Sequence, residues 1–199
     1  MLGRNSKSKI IQPDFLLLAY CNGYFPMAES KVGNIYWYSP DPRAILELDD
    51  FRRSRSLRQV LKKNVFEIRF NTTFEEVIRA CAERKDTWIS EEIVQSYLQL
   101  HRLGFAHSVG AWQGNRLAGG LYGVAVGAAF FGESMFHRVK DASKVALAFL
   151  VDHLREMGFQ LLDIQFMTQF FESVGAKEIP KQEYLKRLYK AVQKDCQFL

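Results

Sequence analysis

Between Leu117 and Gly132 the chain carries no charged residue, and five glycines are spread among apolar and aromatic side chains. A membrane-crossing helix needs roughly 20 largely apolar residues, so a glycine-broken run of this length reads as paired strands instead. Its flanks agree. His107 to Trp112, Arg116 to Val124 and Ala128 to Met135 are apolar runs separated by Gln113-Gly114-Asn115 and by Gly127, the pattern of an antiparallel meander. Any fold for this chain has to be built around those three strands.

The segments on either side supply mostly helices. Pro13 and Asp14 open an apolar helix over Phe15 to Tyr20 that Gly23 ends, and Phe25-Pro26 turns the chain. Trp37 and Tyr38 end a strand that runs into the rigid loop Ser39-Pro40-Asp41-Pro42. A boundary near Pro42 divides a small N-terminal domain, residues 1–42, from a larger one, residues 43–199. Within the larger domain, Ala44 to Leu48 and Phe66 to Phe70 alternate as strands, with a basic helix from Ser54 to Lys63 between them. Asn71-Thr72-Thr73 caps a helix from Phe74 to Ala82, and Ser90 caps another that stops at Gly104. After the meander come a helix capped by Asp141 and ended by Gly158, a buried strand from Phe159 to Ile164, and a short helix near Phe170. A Gly175-Ala176 turn and a helix from Gln182 to Val192 complete the chain. The first 12 residues are expected to be a loose tail. This order is that of an α+β protein.

Composition narrows the function classes. With 48% hydrophobic and 25% charged residues, the chain can bury a core and is not a disordered or fibrous sequence. A net charge of +5 permits a polyanionic partner without demanding one, so the placement of the charges matters more than their sum. Cys21, Cys81 and Cys196 form no Cys-x-x-Cys pair, and His101, His107, His137 and His153 have no metal-ligand spacing. We therefore expect no metal and no cofactor. The polar N-terminus has no apolar core of a signal peptide, so a soluble cytoplasmic protein without a membrane partner is expected.

Three polar groups interrupt the apolar pattern. Glu133 closes the run Ala128-Ala129-Phe130-Phe131-Gly132, and Asp163 and Gln165 flank Ile164, two residues apart and so on one face of a strand. Burying a carboxylate is costly unless it is paired, so these residues are either a polar tie between sheet and helix or a functional site; the pattern alone fits both. Arg52, Arg53, Arg55, Arg58, Lys62 and Lys63 lie in one short stretch without an acid, and Arg55, Arg58 and Lys62 share a helix face. Contact with phosphates explains that run better than a merely solvated face. Trp37, Tyr38 and Trp88 sit beside turns, where a ring either stacks on a nucleobase or half-buries in the core.

Taken together the segments resemble one family. Gly23-Tyr24-Phe25-Pro26-Met27 and Trp37-Tyr38-Ser39-Pro40-Asp41-Pro42-Arg43-Ala44 resemble the N-terminal signature of the leucyl/phenylalanyl-tRNA–protein transferases. The likeness continues through Thr87-Trp88-Ile89, Ala106-His107-Ser108-Val109, Gly119-Gly120-Leu121-Tyr122-Gly123 and Phe131-Gly132-Glu133-Ser134-Met135-Phe136. It ends with Asp141-Ala142-Ser143-Lys144, Asp163-Ile164-Gln165 and Gly175-Ala176. These blocks keep their order from about Phe15 to Leu188.

The resemblance implies a small N-terminal domain followed by an acyltransferase domain of the acetyltransferase (GNAT) type with a mainly antiparallel sheet. It implies transfer of Leu, Phe and less readily Met from aminoacyl-tRNA to the α-amine of proteins beginning with Arg or Lys, which marks them for the N-degron pathway. By position, Glu133, Asp163 and Gln165 fall on the family's catalytic residues, and Trp88 on a ring that stacks on the terminal adenine of the tRNA. Met27 falls on its partner, where some relatives carry Trp. Leu121 and Phe130 fall on the lining of the aminoacyl pocket, and Arg55, Arg58, Lys62 and Lys63 on a basic patch for the tRNA body. The donor ester is already activated, so such a site has to orient an amine and manage one proton. The expected roles are that Asp163 fixes the Gln165 carboxamide and helps polarise the attacking amine, while Glu133 holds an amino group by charge. Gly110, His137 and Gln169-Phe170 depart from the family's usual residues. Two rival readings are an acyl-CoA acetyltransferase, which would want a glycine-rich loop where His137-Arg138-Val139-Lys140-Asp141 stands, and a non-catalytic tRNA-binding protein.

Overall fold

A computed structural model describes residues 10–84 and 87–199. Residues 1–9 of the expected tail lie outside the described residues. The last part of that tail is not loose: the Ile11 amide donates to Ser96 Oγ at 2.9 Å. A small N-terminal region comes first, with helix α1 (Pro13–Cys21) and a two-stranded antiparallel ribbon of β1 (Phe25–Ala28) and β2 (Ile35–Tyr38). Strand β1 corrects the expected turn at Phe25-Pro26. Its pairing runs from Phe25 opposite Tyr38 to Ala28 opposite Ile35, and a proline is tolerated in so short a ribbon.

The rest is one seven-stranded sheet with helices on both faces. In chain order its elements are β3 (Arg43–Leu46), α2 (Arg55–Lys63), β4 (Glu67–Phe70), α3 (Phe74–Ala82), α4 (Glu91–Arg102), β5 (Ala106–Gln113), β6 (Arg116–Val126) and β7 (Ala129–His137). Then follow α5 (Ala142–Glu156), β8 (Leu161–Gln165), α6 (Gln169–Ser173), β9 (Lys177–Ile179) and α7 (Lys181–Val192). The strand order is β4-β5-β6-β7-β8-β3-β9, with β5, β6 and β7 as the meander. Every pairing is antiparallel except β7 with β8. That parallel pair needs a crossover, which α5 supplies. Three-residue β9 is too short to show a period and was not expected from the sequence.

Alternation sorts the sheet's side chains into two cores. Ile45, Tyr122, Val124 and Phe131 pack toward α1, α3, α4 and α7. Ala44, Leu46, Leu121, Phe130 and Leu162 pack toward α2 and α5. Phe198, almost at the C-terminus, seals the second core, stacked on His107 and on Phe130. The expected cap at Ser90 is present, its hydroxyl accepting from the Ile93 amide, whereas Thr73 precedes α3 without a side-chain cap bond; Ser54, expected as the first helical residue, instead caps α2 by accepting from Leu57. Asp141 does not: it precedes α5 in a left-handed conformation and pairs with Lys144 at 3.0 Å instead of capping. No helix of the described residues is long and apolar enough to cross a membrane.

Two irregularities decide where function can sit. On β7, Gly132 pairs with Gly123 and Ser134 with Tyr122, so Glu133 is the extra residue of a bulge. On β8, Asp163 pairs with Ile45 and Gln165 with Ala44, so Ile164 is bulged in turn. The β7–β8 pairing itself stops at Phe131 and Asp163. Bulges re-aim side chains and bend strands, and here both lie where two central strands part.

Candidate active site

Glu133 is enclosed by donors. Its Oε1 accepts from the Tyr20 hydroxyl at 2.7 Å and from Gln165 Nε2 at 2.9 Å, while its Oε2 accepts from the Tyr97 hydroxyl at 3.1 Å. The Tyr20 and Tyr97 hydroxyl oxygens also touch each other, and since each hydroxyl has a single proton to donate, all three bonds of this triangle are made only when the Glu133 carboxyl is protonated and donates one of them. The carboxyl is 7% exposed, and its pKa is pushed up to about 7. Burial is the main cause and Asp163 adds to it; the two tyrosine hydrogen bonds and Arg43 act the other way. A carboxyl poised near neutrality can hold or release a proton at little cost.

Asp163 is fully buried, and its charge is already answered. Its Oδ1 accepts from Arg43 Nε and from the Gln165 amide, both at 2.9 Å. Its Oδ2 accepts from Arg43 Nη2 at 2.6 Å and from the Tyr184 hydroxyl at 2.7 Å. Arg43 lies with its guanidinium carbon 4.7 Å from the Phe25 ring centre and 4.6 Å from that of Tyr184, and Nη1 donates to the Gly23 carbonyl at 3.1 Å. One expectation is thereby corrected. Asp163 grips the backbone of Gln165, not its carboxamide, which turns to Glu133. The grip has a physical purpose, because Gln165 holds a left-handed backbone (φ +65°) that costs a residue with a side chain about 1–3 kcal/mol.

This cluster forms the polar end of a cavity of about 340 Å³. Glu133, Gln165 and Ser134 contribute polar atoms there, together with Arg84, which donates to Ser134 Oγ at 2.8 Å. Leu121, Leu147, Leu150, Leu162 and Ile164 make an aliphatic wall, with Phe166, Phe170 and Phe171 completing it. Met27 and Trp88 line the same cavity, held side by side by the hydrogen bond from the Ala28 amide to the Trp88 carbonyl at 3.1 Å. Phe130 does not line it. It faces the α5 core, where its ring stacks on Phe198 and Gly123 leaves room for it. Of the departures from the family pattern, Phe170 lines the cavity. His137 and Gln169 line a neighbouring cleft at the start of α5, and Gly110 lies beneath the Trp112 indole.

Two family descriptions match this chain. The one for "Leucyl/phenylalanyl-tRNA protein transferase" covers residues 45–189, and the one for its N-terminal domain covers residues 10–41. The chain belongs to this family. A relative named leucyl/phenylalanyl-tRNA–protein transferase from Chlorobaculum parvum is 54% identical over 194 residues, covering 96% of this chain and all of that one. Another of the same name, from Gloeobacter violaceus, is 53% identical over 188 residues, 94% of this chain and 97% of that one. Among solved structures, that of L-PGS from Bacillus licheniformis is similar at a TM-score of 0.42 and 13% identity, over 80% of this chain and 55% of that one, too slight a likeness to carry an argument. The protein is thus a transferase enzyme.

The transferase's basic helix lies on the α5 side of the sheet. Leu57 buries, while Arg55, Arg58, Lys62 and Lys63 are exposed and join no ion pair among the described residues. Arg53, from the same charge run, is instead turned to Asp152 of α5. The structure thus brings Glu133, Gln165, Met27, Trp88 and Leu121 to one cavity, sets Asp163 behind it, and keeps Phe130 and the basic helix apart. Sequence reasoning missed Tyr20, Arg43, Arg84, Tyr97 and Tyr184 as site residues. A cation opening an apolar strand, as Arg43 does, and a tyrosine inside an apolar helix, as Tyr20 is, were the available signals.

Proposed function

We propose that the enzyme moves leucine, phenylalanine and, less readily, methionine from aminoacyl-tRNA to the α-amine of proteins beginning with Arg or Lys, marking them in the cytoplasm for N-degron degradation. The observation that carries this reading is the Glu133–Gln165 pair at the polar end of a cavity otherwise walled by aliphatic and aromatic side chains and rimmed by Met27 and Trp88. An apolar wall suits the leucyl, phenylalanyl and methionyl side chains, which carry no polar group needing a partner. Met27 and Trp88 suit a purine between a thioether and an indole. The exposed cations of α2 suit the phosphates of the tRNA body.

In this reading the chemistry is an exchange of ester for amide. The acceptor amine attacks the ester carbonyl carbon, a C–N bond forms, and the C–O bond to the terminal ribose breaks. The ribose oxygen leaves with the proton that the nitrogen gives up. Gln165 Nε2 is committed to Glu133, which leaves the carboxamide oxygen to accept from the attacking amine and orient it. Glu133, poised near neutrality, holds an amino group at the polar end. Arg43, Asp163 and Tyr184 position Gln165 from behind without touching substrate. Orientation of this kind accounts for much of the acceleration available when the donor is already activated.

The test is transfer of labelled leucine from leucyl-tRNA to a peptide beginning with Arg, with acetyl-CoA as the control donor. Transfer from the tRNA alone supports the reading. Acetyl transfer, or tRNA binding without transfer, overturns it.

A further inference from the structure

The β1–β2 ribbon displays tyrosines where a solvent-facing strand ordinarily carries polar side chains. Tyr36 and Tyr38 are 46% and 40% exposed, and being two residues apart they share a face with about 7 Å between them along β2. Directly opposed residues of an antiparallel pair also share a face, and Met27 opposes Tyr36 while Phe25 opposes Tyr38. Since Met27 lines the cavity, this face is the approach to it. The row is continuous. The Tyr38 ring stacks on Phe25 at 6.2 Å, Phe25 meets Phe166 edge-on at 5.7 Å, and Phe166, itself 45% exposed, lines the cavity. Lys181 lies at the end of the ribbon and not on the row, with Nζ donating to the Ser39 carbonyl at 3.4 Å and lying 5.4 Å from the Tyr24 ring centre. Asp41 is occupied by the Lys181 amide at 3.0 Å.

We propose that Tyr36 and Tyr38 form a stacking platform for the bases immediately preceding the terminal adenosine of the donor RNA, a subsite that begins where Met27 ends. The proposal rests on the reading above, in which that adenosine lies between Met27 and Trp88. Two exposed rings about 7 Å apart on one strand face offer base faces of an RNA single strand something to stack on. A polypeptide beginning with Arg or Lys finds no carboxylate among the residues of this row. Stacking is tolerant of base identity, so the platform contributes affinity and register rather than sequence choice.

The test compares two short donors with the full-length enzyme and an Arg-starting peptide: leucyl-adenosine, and the leucyl ester of the dinucleotide cytidylyl-adenosine. One added stacked base corresponds to about a tenfold gain, so kcat/KM for the dinucleotide should exceed that for leucyl-adenosine by about tenfold. In Tyr36→Ala this ratio should fall close to one, and in Tyr36→Phe, which keeps the ring, it should be retained. A ratio that survives Tyr36→Ala overturns the platform. So does an unchanged ratio accompanied by a raised KM for the peptide, which would give the face to the acceptor. Wild-type enzyme that uses leucyl-tRNA and both short donors with equal kcat/KM contradicts the platform alone. Wild-type enzyme that uses none of the three contradicts the proposed function itself.

Discussion

Glu133 should make the protein less stable as the pH rises, and replacing it should remove that dependence. Burial lifts its pKa from an ordinary 4.5 to about 7. The folded state therefore binds this proton more tightly than the unfolded chain does. Below about pH 4.5 both states are protonated and the group favours folding in full. Between 4.5 and 7 the unfolded chain loses its proton first, so this contribution falls as pH rises and is gone above 7. At about 1.4 kcal/mol per pH unit, the whole swing is about 3 kcal/mol, most of it between pH 5 and 8. Urea unfolding of wild type and Glu133→Gln at pH 5, 6, 7 and 8 measures it. The variant should gain on wild type by about 2 to 3 kcal/mol across that range, whatever its offset at pH 5. Parallel curves would refute the reasoning, because they would mean that folding does not desolvate this carboxyl.

Other expectations follow from the same contacts. Arg43→Met leaves Asp163 as an unpaired buried charge and should cost about 3–5 kcal/mol in urea unfolding, part of which Asp163→Asn added to it should recover. The double substitution Arg58→Ala with Lys62→Ala should reduce the slope of log affinity for tRNA against log salt by about 2 while leaving the urea midpoint unchanged, since both side chains are exposed. Gly123→Ala puts a methyl 2.3 Å from the Phe131 carbonyl oxygen, beside the bulge that presents Glu133; a lowered melting temperature equivalent to about 1–3 kcal/mol is expected.

Much of this was legible in the sequence, for identifiable reasons. The meander could be read because strand alternation and Gly-punctuated turns are local signals, and so is the Ser90 cap. Glu133, Asp163 and Gln165 could be read as polar groups set in apolar runs. Their mutual arrangement could not. Arg43 meets Asp163 across 120 positions, Tyr20 meets Glu133 across 113, and neither pairing leaves a local trace. The bulges at Glu133 and Ile164 are likewise invisible in the alternation, since each exists only relative to a partner strand. That is why Asp163 was expected to hold a carboxamide when it holds a backbone amide. Phe130 was expected at the cavity from the family resemblance alone; it shares a core with Leu121 and Leu162, but its ring stacks on Phe198 instead. Strand β1 was hidden by Pro26, whose turn signal outweighed a four-residue ribbon.

The central claim is that the Gln165 carboxamide, held by Glu133 and by the Asp163–Arg43 pair behind it, orients the amine for transfer. Single-turnover transfer of leucine from enzyme-bound leucyl-tRNA to an Arg-starting peptide tests it most directly, comparing wild type with Gln165→Ala. The account predicts a rate lower by about 100-fold or more with the tRNA dissociation constant nearly unchanged, while stability falls by only about 1–3 kcal/mol for the donor that buried Glu133 loses. A variant that transfers within a few-fold of the wild-type rate would contradict it.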